Sequence, residues 1–98
     1  MRGARTVTDG DGARDARGVS HLFARGRLIA IPRRVARREQ LLAHLAETLF
    51  ERGRVYSERE VNEALLTVHD DCAALRRYLV DEGWLARSRD GMNYGRVR

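Results

Sequence analysis

Residues 70–94 read DDCAALRRYLVDEGWLARSRDGMNY, and this stretch carries three local structural signals in direct succession. Cys72, Leu75 and Leu79 fall at i, i+3 and i+7 on one face of a helix, while Arg76 and Arg77 turn away from it. Gly83 stands where a helix closes in the left-handed conformation, and Trp84 can fold back on Leu79 as the apolar partner of a Schellman cap. Asp90 and Gly91 supply the positive-φ pair of a type I′ turn, which sets Arg89 opposite Met92 and Arg87 opposite Tyr94 across a tight ribbon. Amphipathic helix, glycine stop, aromatic residue and basic hairpin make up the closing half of a winged helix-turn-helix.

The residues just upstream supply the opening half. Ser57 and Glu60 form an S-x-x-E capping box, each side chain accepting the other residue's amide hydrogen, and Tyr56 and Val61 occupy the two positions of a hydrophobic staple. Val61, Leu65 and Val68 form the buried stripe of the helix that follows. The short His69-Asp70 link then leads to the third helix, with either Asp70 or Asp71 as its N-cap. Two short helices joined by a tight turn and followed by a hairpin are the helix-turn-helix pattern with a wing.

Further towards the N-terminus, a first long helix is expected over residues 33–50, with Val35, Leu42, Leu45, Ala46 and Leu49 on its stripe and Leu41 at the border. Its opening turns carry Arg33, Arg34, Arg37 and Arg38, the wrong sign for the positive end of the helix dipole, at about 0.3 to 1 kcal/mol each if uncompensated. Either these long side chains lie along apolar surface with their heads in water, or they meet a phosphate or an acidic partner. Between the first and second helices, residues 51–54 read as a turn and Val55-Tyr56 as a short extended segment. Pro32 is expected to end an extended piece, Arg27 to Ile31, whose Leu28, Ile29 and Ile31 face the core, and to suit the first helical turn after it. Residues 1–20, with four glycines and only two valines as sizeable apolar residues, read as a disordered tail. Residues 21–98 read as one α+β domain with three helices and a C-terminal β-hairpin wing.

Ninety-eight residues suffice for one small domain, which buries only about 60 to 65% of the surface its unfolded chain exposes. Cys72 has no partner for a disulfide, and no stretch resembles a signal peptide or a membrane span, so a reducing cytoplasm is the expected compartment. The net charge is +5, and every basic residue is arginine, as a GC-rich bacterial genome would encode. The arginine fork suits phosphate and guanine edges. Residues 25–54 hold eight arginines against three acids, residues 55–86 three against seven, and residues 87–98 four against one. Two basic segments therefore bracket an acidic middle. They form one cationic surface if folding places them on one side, and a solvated exterior if it does not.

His69, Asp70, Asp71 and Cys72 are the one cluster with metal-ligand residue types, but adjacent residues at a helix start point in different directions and no second pair completes a site. Caps and core account for them, and no cofactor is expected. His44 reads as a solvent histidine on a polar face. No nucleophile has a neighbouring base, no paired carboxylates flank a cleft and no glycine-rich phosphate loop follows a strand, so an enzyme is not expected. The candidate nucleic-acid contacts are Arg33, Arg34, Arg37 and Arg38 on the first helix, Arg76 and Arg77 on the third, Arg87 and Arg89 on the hairpin, and Arg96 and Arg98 after it. In that arrangement the third helix lies in the major groove of double-stranded DNA and the wing arginines meet phosphate or the minor groove. Asp70 and Asp71 stand against it, since carboxylates at the leading end of that helix repel phosphates.

The runs GRLIAIP (26–32), GRVYSEREVNEAL (53–65) and LRRYLVDEGWLARSRDGMNY (75–94), with the arginine-rich helix ending in phenylalanine, are similar to a small bacterial domain of unknown function. That domain occurs alone or attached to arsenical-resistance-repressor-type winged-helix regulators. The resemblance covers residues 22–96, and its most specific parts are Tyr56 to Asn62 and Leu75 to Gly83. It implies a regulatory, DNA-associated context, and equally permits a dimerisation or partner-sensing module. It lends no support to a metal site at 69–72. The expected function is thus a small DNA-binding transcriptional regulator; the rival is a protein-interaction or dimerisation module that pairs with itself or with a regulator through the first helix and the N-terminal segment.

Overall fold

Three helices and two small antiparallel sheets form the α+β domain that a computed structural model of the chain describes over residues 18–98, with a further helical turn at 18–20. Residues 1–17 of the tail expected over residues 1–20 lie outside the described residues. In chain order the elements are β1 (Phe23–Ala24), β2 (Arg27–Leu28), α1 (Val35–Leu49), β3 (Val55–Ser57), α2 (Glu58–Leu66), α3 (Cys72–Asp81), β4 (Leu85–Arg87) and β5 (Asn93–Arg96). The core is built from Leu41, Leu42 and Leu45 of α1, Val61 and Leu65 of α2, Leu75 and Leu79 of α3, and Leu85 of β4. Leu28, Phe50, Tyr56 and Tyr94 close it.

The local signals at α2 and α3 form as their residues dictate. Ser57 Oγ accepts from Glu60 N at 3.1 Å and Glu60 Oε1 accepts from Ser57 N at 2.8 Å, while the stapling pair Tyr56 and Val61 is buried. At the other end of the unit α3 closes in a Schellman motif: Trp84 N donates to Leu79 O at 2.8 Å and Gly83 N to Val80 O at 3.1 Å. Gly83 sits at φ 81°, a conformation in which a side chain costs roughly 1 to 2 kcal/mol. Of the two aspartates before α3 it is Asp71 that caps, its carboxylate accepting from Ala74 N at 3.1 Å.

The segment Val55–Ser57 is more than a connector. It joins the C-terminal hairpin as a third strand, giving the order β3-β5-β4 with Tyr56 opposite Tyr94 and Arg87 opposite Tyr94. The hairpin tip, however, is not the type I′ turn expected at Asp90-Gly91. Only Gly91 has positive φ (76°); Gly91 N donates to Ser88 O at 2.9 Å, and the Asp90 carboxylate accepts from Met92 N at 2.9 Å. Arg89 therefore sits within the turn instead of facing Met92 across a ladder. Two consecutive positive-φ residues occur at Arg25 (φ 55°) and Gly26 (φ 80°), the two-residue loop that joins β1 to β2.

The N-terminal hairpin is seated on the link between α2 and α3, with Leu28 N donating to Val68 O at 2.7 Å. Two expectations fail here. Ile29, expected against the core, and Val35, expected on the apolar stripe of the first helix, are 63% and 57% exposed, because β2 ends at Leu28 and α1 starts only at Val35. Pro32 accordingly stands outside the helix, before the N-cap Arg34. Val19, from the segment read as tail, is buried, and its carbonyl accepts from Leu22 N at 2.8 Å. His44 is half-buried with its ring edge against Phe23, at a centroid distance of 5.7 Å.

Candidate nucleic-acid interface

Residues two apart on a helix are separated by about 200° around its axis, so Arg76 and Tyr78 leave α3 on opposite flanks. The Arg76 flank meets the C-terminal hairpin. There Arg76, Arg77, Val80 and Asp81 of α3, with Arg87 and Tyr94 of the hairpin, line an open concavity of about 290 Å³. One of its three cations is held by a hydrogen bond, and a second stands beside an aromatic ring. Arg76 Nη1 donates to Asn62 Oδ1 on α2, and the Arg87 guanidinium lies 6.0 Å from the centroid of the Tyr94 ring. The Arg87 fork also presses on the turn, since a Cβ at Gly91 would meet Arg87 Nη2 at 2.7 Å. Arg77 is exposed, and its side chain makes no hydrogen bond or ion pair among the described residues.

Tyr94 forms the floor. Its hydroxyl donates to Glu58 Oε1 at 3.0 Å, tying β5 to the first turn of α2. Burial, then the hydrogen bond to Glu58 and the Glu58 charge, raise its pKa above the ordinary 10.0, while Arg87 and Arg76 pull the other way. At the tip, the Asp90 carboxyl is held below its ordinary 3.8 by hydrogen bonds from Ser88 and from Met92 N.

The remaining candidate arginines go elsewhere. On the Tyr78 flank, Arg38 Nε donates to Glu82 Oε2 at 3.4 Å, its guanidinium stacks 4.6 Å from the Tyr78 centroid, and Nη1 donates to Arg33 O at 3.1 Å. That pair is only 15% and 17% exposed, so Arg38 binds α1 to the end of α3. Arg96 Nη1 donates to Phe50 O at 3.2 Å, at the end of α1, and Arg98 stacks 4.0 Å over Trp84 with Nη1 3.4 Å from Glu82 O. Arg37 Nη1 donates to His21 Nε2 at 3.0 Å, guanidinium having no acceptor. Arg33 and Arg34 are exposed at the start of α1, and Arg89 is exposed at the hairpin tip. Folding thus gathers Arg76, Arg77 and Arg87 into one groove and does not join Arg33, Arg34 and Arg37 to it through any described contact.

The aspartates that opposed a nucleic-acid role are partly answered. Asp70 Oδ1 accepts from Arg27 Nη2 at 2.6 Å, and Asp71 is engaged as the cap. His69 Nδ1 accepts from Asp71 N at 2.9 Å, and Cys72 packs against the core, which accounts for each member of the 69–72 cluster. Asp81, Asn62 and Arg27 were not singled out from sequence. Tyr94 was legible only as the residue opposite Arg87.

Residues 27–96 match the family described as "Uncharacterized protein conserved in bacteria (DUF2087)". The chain belongs to this family. The match runs from the first residue of β2 to the last of β5, so α1 to α3, the three-stranded sheet and the groove lie within the matched region, while β1 lies before it. No curated protein and no solved structure matches the chain. Among the described residues no helix is long and apolar enough to cross a membrane.

Proposed function

We propose that this domain is a winged helix-turn-helix that binds double-stranded DNA as a small, non-catalytic transcriptional regulator, with α3 in the major groove and β4–β5 as its wing. The observation that carries the proposal is the convergence of Arg76, Arg77 and Arg87 on one open groove between α3 and the hairpin. A duplex laid along α3 meets these cations with its backbone and its base edges. The element order supports the winged architecture. After α1 come a strand, two helices and a hairpin, and β5 lies between β3 and β4, which packs the hairpin against the helix pair. The Arg27–Asp70 pair supports it too, by partly offsetting the charge of the wrong sign beside the start of α3. The regulator context implied by the family resemblance points the same way.

Titration of a labelled duplex at two salt concentrations tests the proposal. If about six phosphates are neutralised, log K falls against log salt with a slope of about −5. Duplex binding that is absent at low salt removes the proposal. A second reading, a dimerisation or protein-interaction module acting through α1 and the N-terminal segment, is favoured by one observation: the exposed side chains of Ile29 and Val35 lie on that segment and that helix. Light scattering that shows a stable dimer without DNA affinity selects it.

A further inference from the structure

The core face of α3 is set by Cys72, Leu75 and Leu79, and the line furthest from it runs through Ala73, Arg77 and Asp81, at i, i+4 and i+8. All three are exposed. Alanine at the first position lets the helix backbone approach a surface closely. Arg77 and Asp81 stand one turn apart, yet they form no ion pair with each other or with any other described residue. Arginine before aspartate is the less favourable order on a helix, and a carboxylate in the last turn faces the negative end of the helix dipole. No ion pair among the described residues therefore ties Asp81 to the fold, although it lines the same groove as three cations. Arg76 and Arg87 differ in kind from Arg77. Arg76 is held by a hydrogen bond to Asn62, and Arg87 stands beside the Tyr94 ring and the Gly91 turn, so each has a neighbour on the groove wall.

We infer that Arg77 and Asp81 read base edges, a guanine and a cytosine about two steps apart, while Arg76 and Arg87 clamp backbone phosphate beside them. This deepens the DNA-binding function proposed for the domain and rests on it. The arginine fork matches guanine O6 and N7, and a carboxylate accepts from the cytosine N4 amino group. Four residues of helix rise by about 6 Å, close to two base steps of about 3.4 Å each. Pre-organised cations suit a phosphate, which is the same at every sequence. An exposed side chain with no partner is free to meet a base edge.

Selection from a randomised duplex pool with the whole chain, followed by titration of the selected and a scrambled duplex, tests this. The wild-type protein is expected to select a site with G and C two steps apart. Arg77→Ala lowers affinity for that site about tenfold and changes the scrambled duplex far less. Asp81→Asn moves the preferred base at the second position from cytosine to adenine, because the asparagine amide matches adenine N6 and N7. Arg76→Ala weakens both duplexes alike. Both reading positions are exposed, and circular dichroism checks that the variants fold. Salt-dependent binding with no selected sequence, or an Asp81→Asn protein with unchanged base preference, overturns the readout and leaves DNA binding standing. Failure to bind any duplex overturns both.

Discussion

Arg27 reaches across the chain to Asp70, its Nη2 2.6 Å from Oδ1, and so ties the N-terminal hairpin to the start of α3. Its other terminal nitrogen donates to Leu66 O at 3.0 Å, at the end of α2. Asp70 is 95% exposed, which limits the pair to roughly 0 to 1 kcal/mol of stability. Its consequence lies in where charge is left. Asp70→Asn is expected to change stability in urea by less than about 0.5 kcal/mol and to raise duplex affinity a few-fold at low salt, a gain that fades as salt is added. Equal affinities at low salt would place the start of α3 away from the polyanion.

Arg38 belongs to the fold, although it sits among arginines that look alike in sequence. Arg38→Ala removes a mostly buried ion pair with Glu82 and the stacking on Tyr78, and should cost about 1 to 2 kcal/mol. Arg33→Ala removes a guanidinium with no described partner and should stay within about 0.5 kcal/mol. Urea midpoints of the two variants separate these roles, and equal midpoints would contradict the assignment of Arg38.

Gly83 and Gly91 both have positive φ, 81° and 76°, but they predict different losses. Nothing lies within 4 Å of a Cβ built at Gly83, so Gly83→Ala carries only the backbone cost of about 1 to 2 kcal/mol and leaves the groove intact. Gly91→Ala adds a Cβ that would stand 2.7 Å from Arg87 Nη2. The flexible arginine end can move, so the added effect falls on the groove: affinity for all duplexes drops in Gly91→Ala beyond what its stability explains. Titrations run well below either unfolding midpoint distinguish the two.

The two shifted groups act at opposite ends of the pH scale. Asp90 is held below 3.8 when folded, so its contribution to stability is present above 3.8 and is lost as pH falls through the lower folded value. Tyr94 is raised above 10.0, so its contribution is present below 10.0 and is lost as pH rises through the higher folded value. Carboxyl NMR should find Asp90 titrating below 3.8, and ultraviolet titration should find a tyrosinate component above 10.0 that moves down in Glu58→Gln. A Glu58→Gln protein with an unchanged tyrosine curve would contradict the Tyr94–Glu58 bond.

The sequence by itself determined the start of α2 and the end of α3, most of the leucine core, the pairing of Arg87 with Tyr94 and the family. Each depends on physics confined to a few neighbouring residues: a capping box spans four residues, a Schellman motif closes within one turn, and an apolar stripe repeats with the helix. Only the tertiary structure decided which arginines remain available to a ligand. The partners of Arg38, Arg96 and Arg76 lie 44, 46 and 14 residues away, and no local rule reaches that far. The turns differ again. At Asp90-Gly91 a set of local bonds, Gly91 N to Ser88 O and Met92 N to Asp90 Oδ1, replaces the paired positive φ, while Arg25 adopts positive φ in the hairpin seated on Val68 at about 1 to 2 kcal/mol.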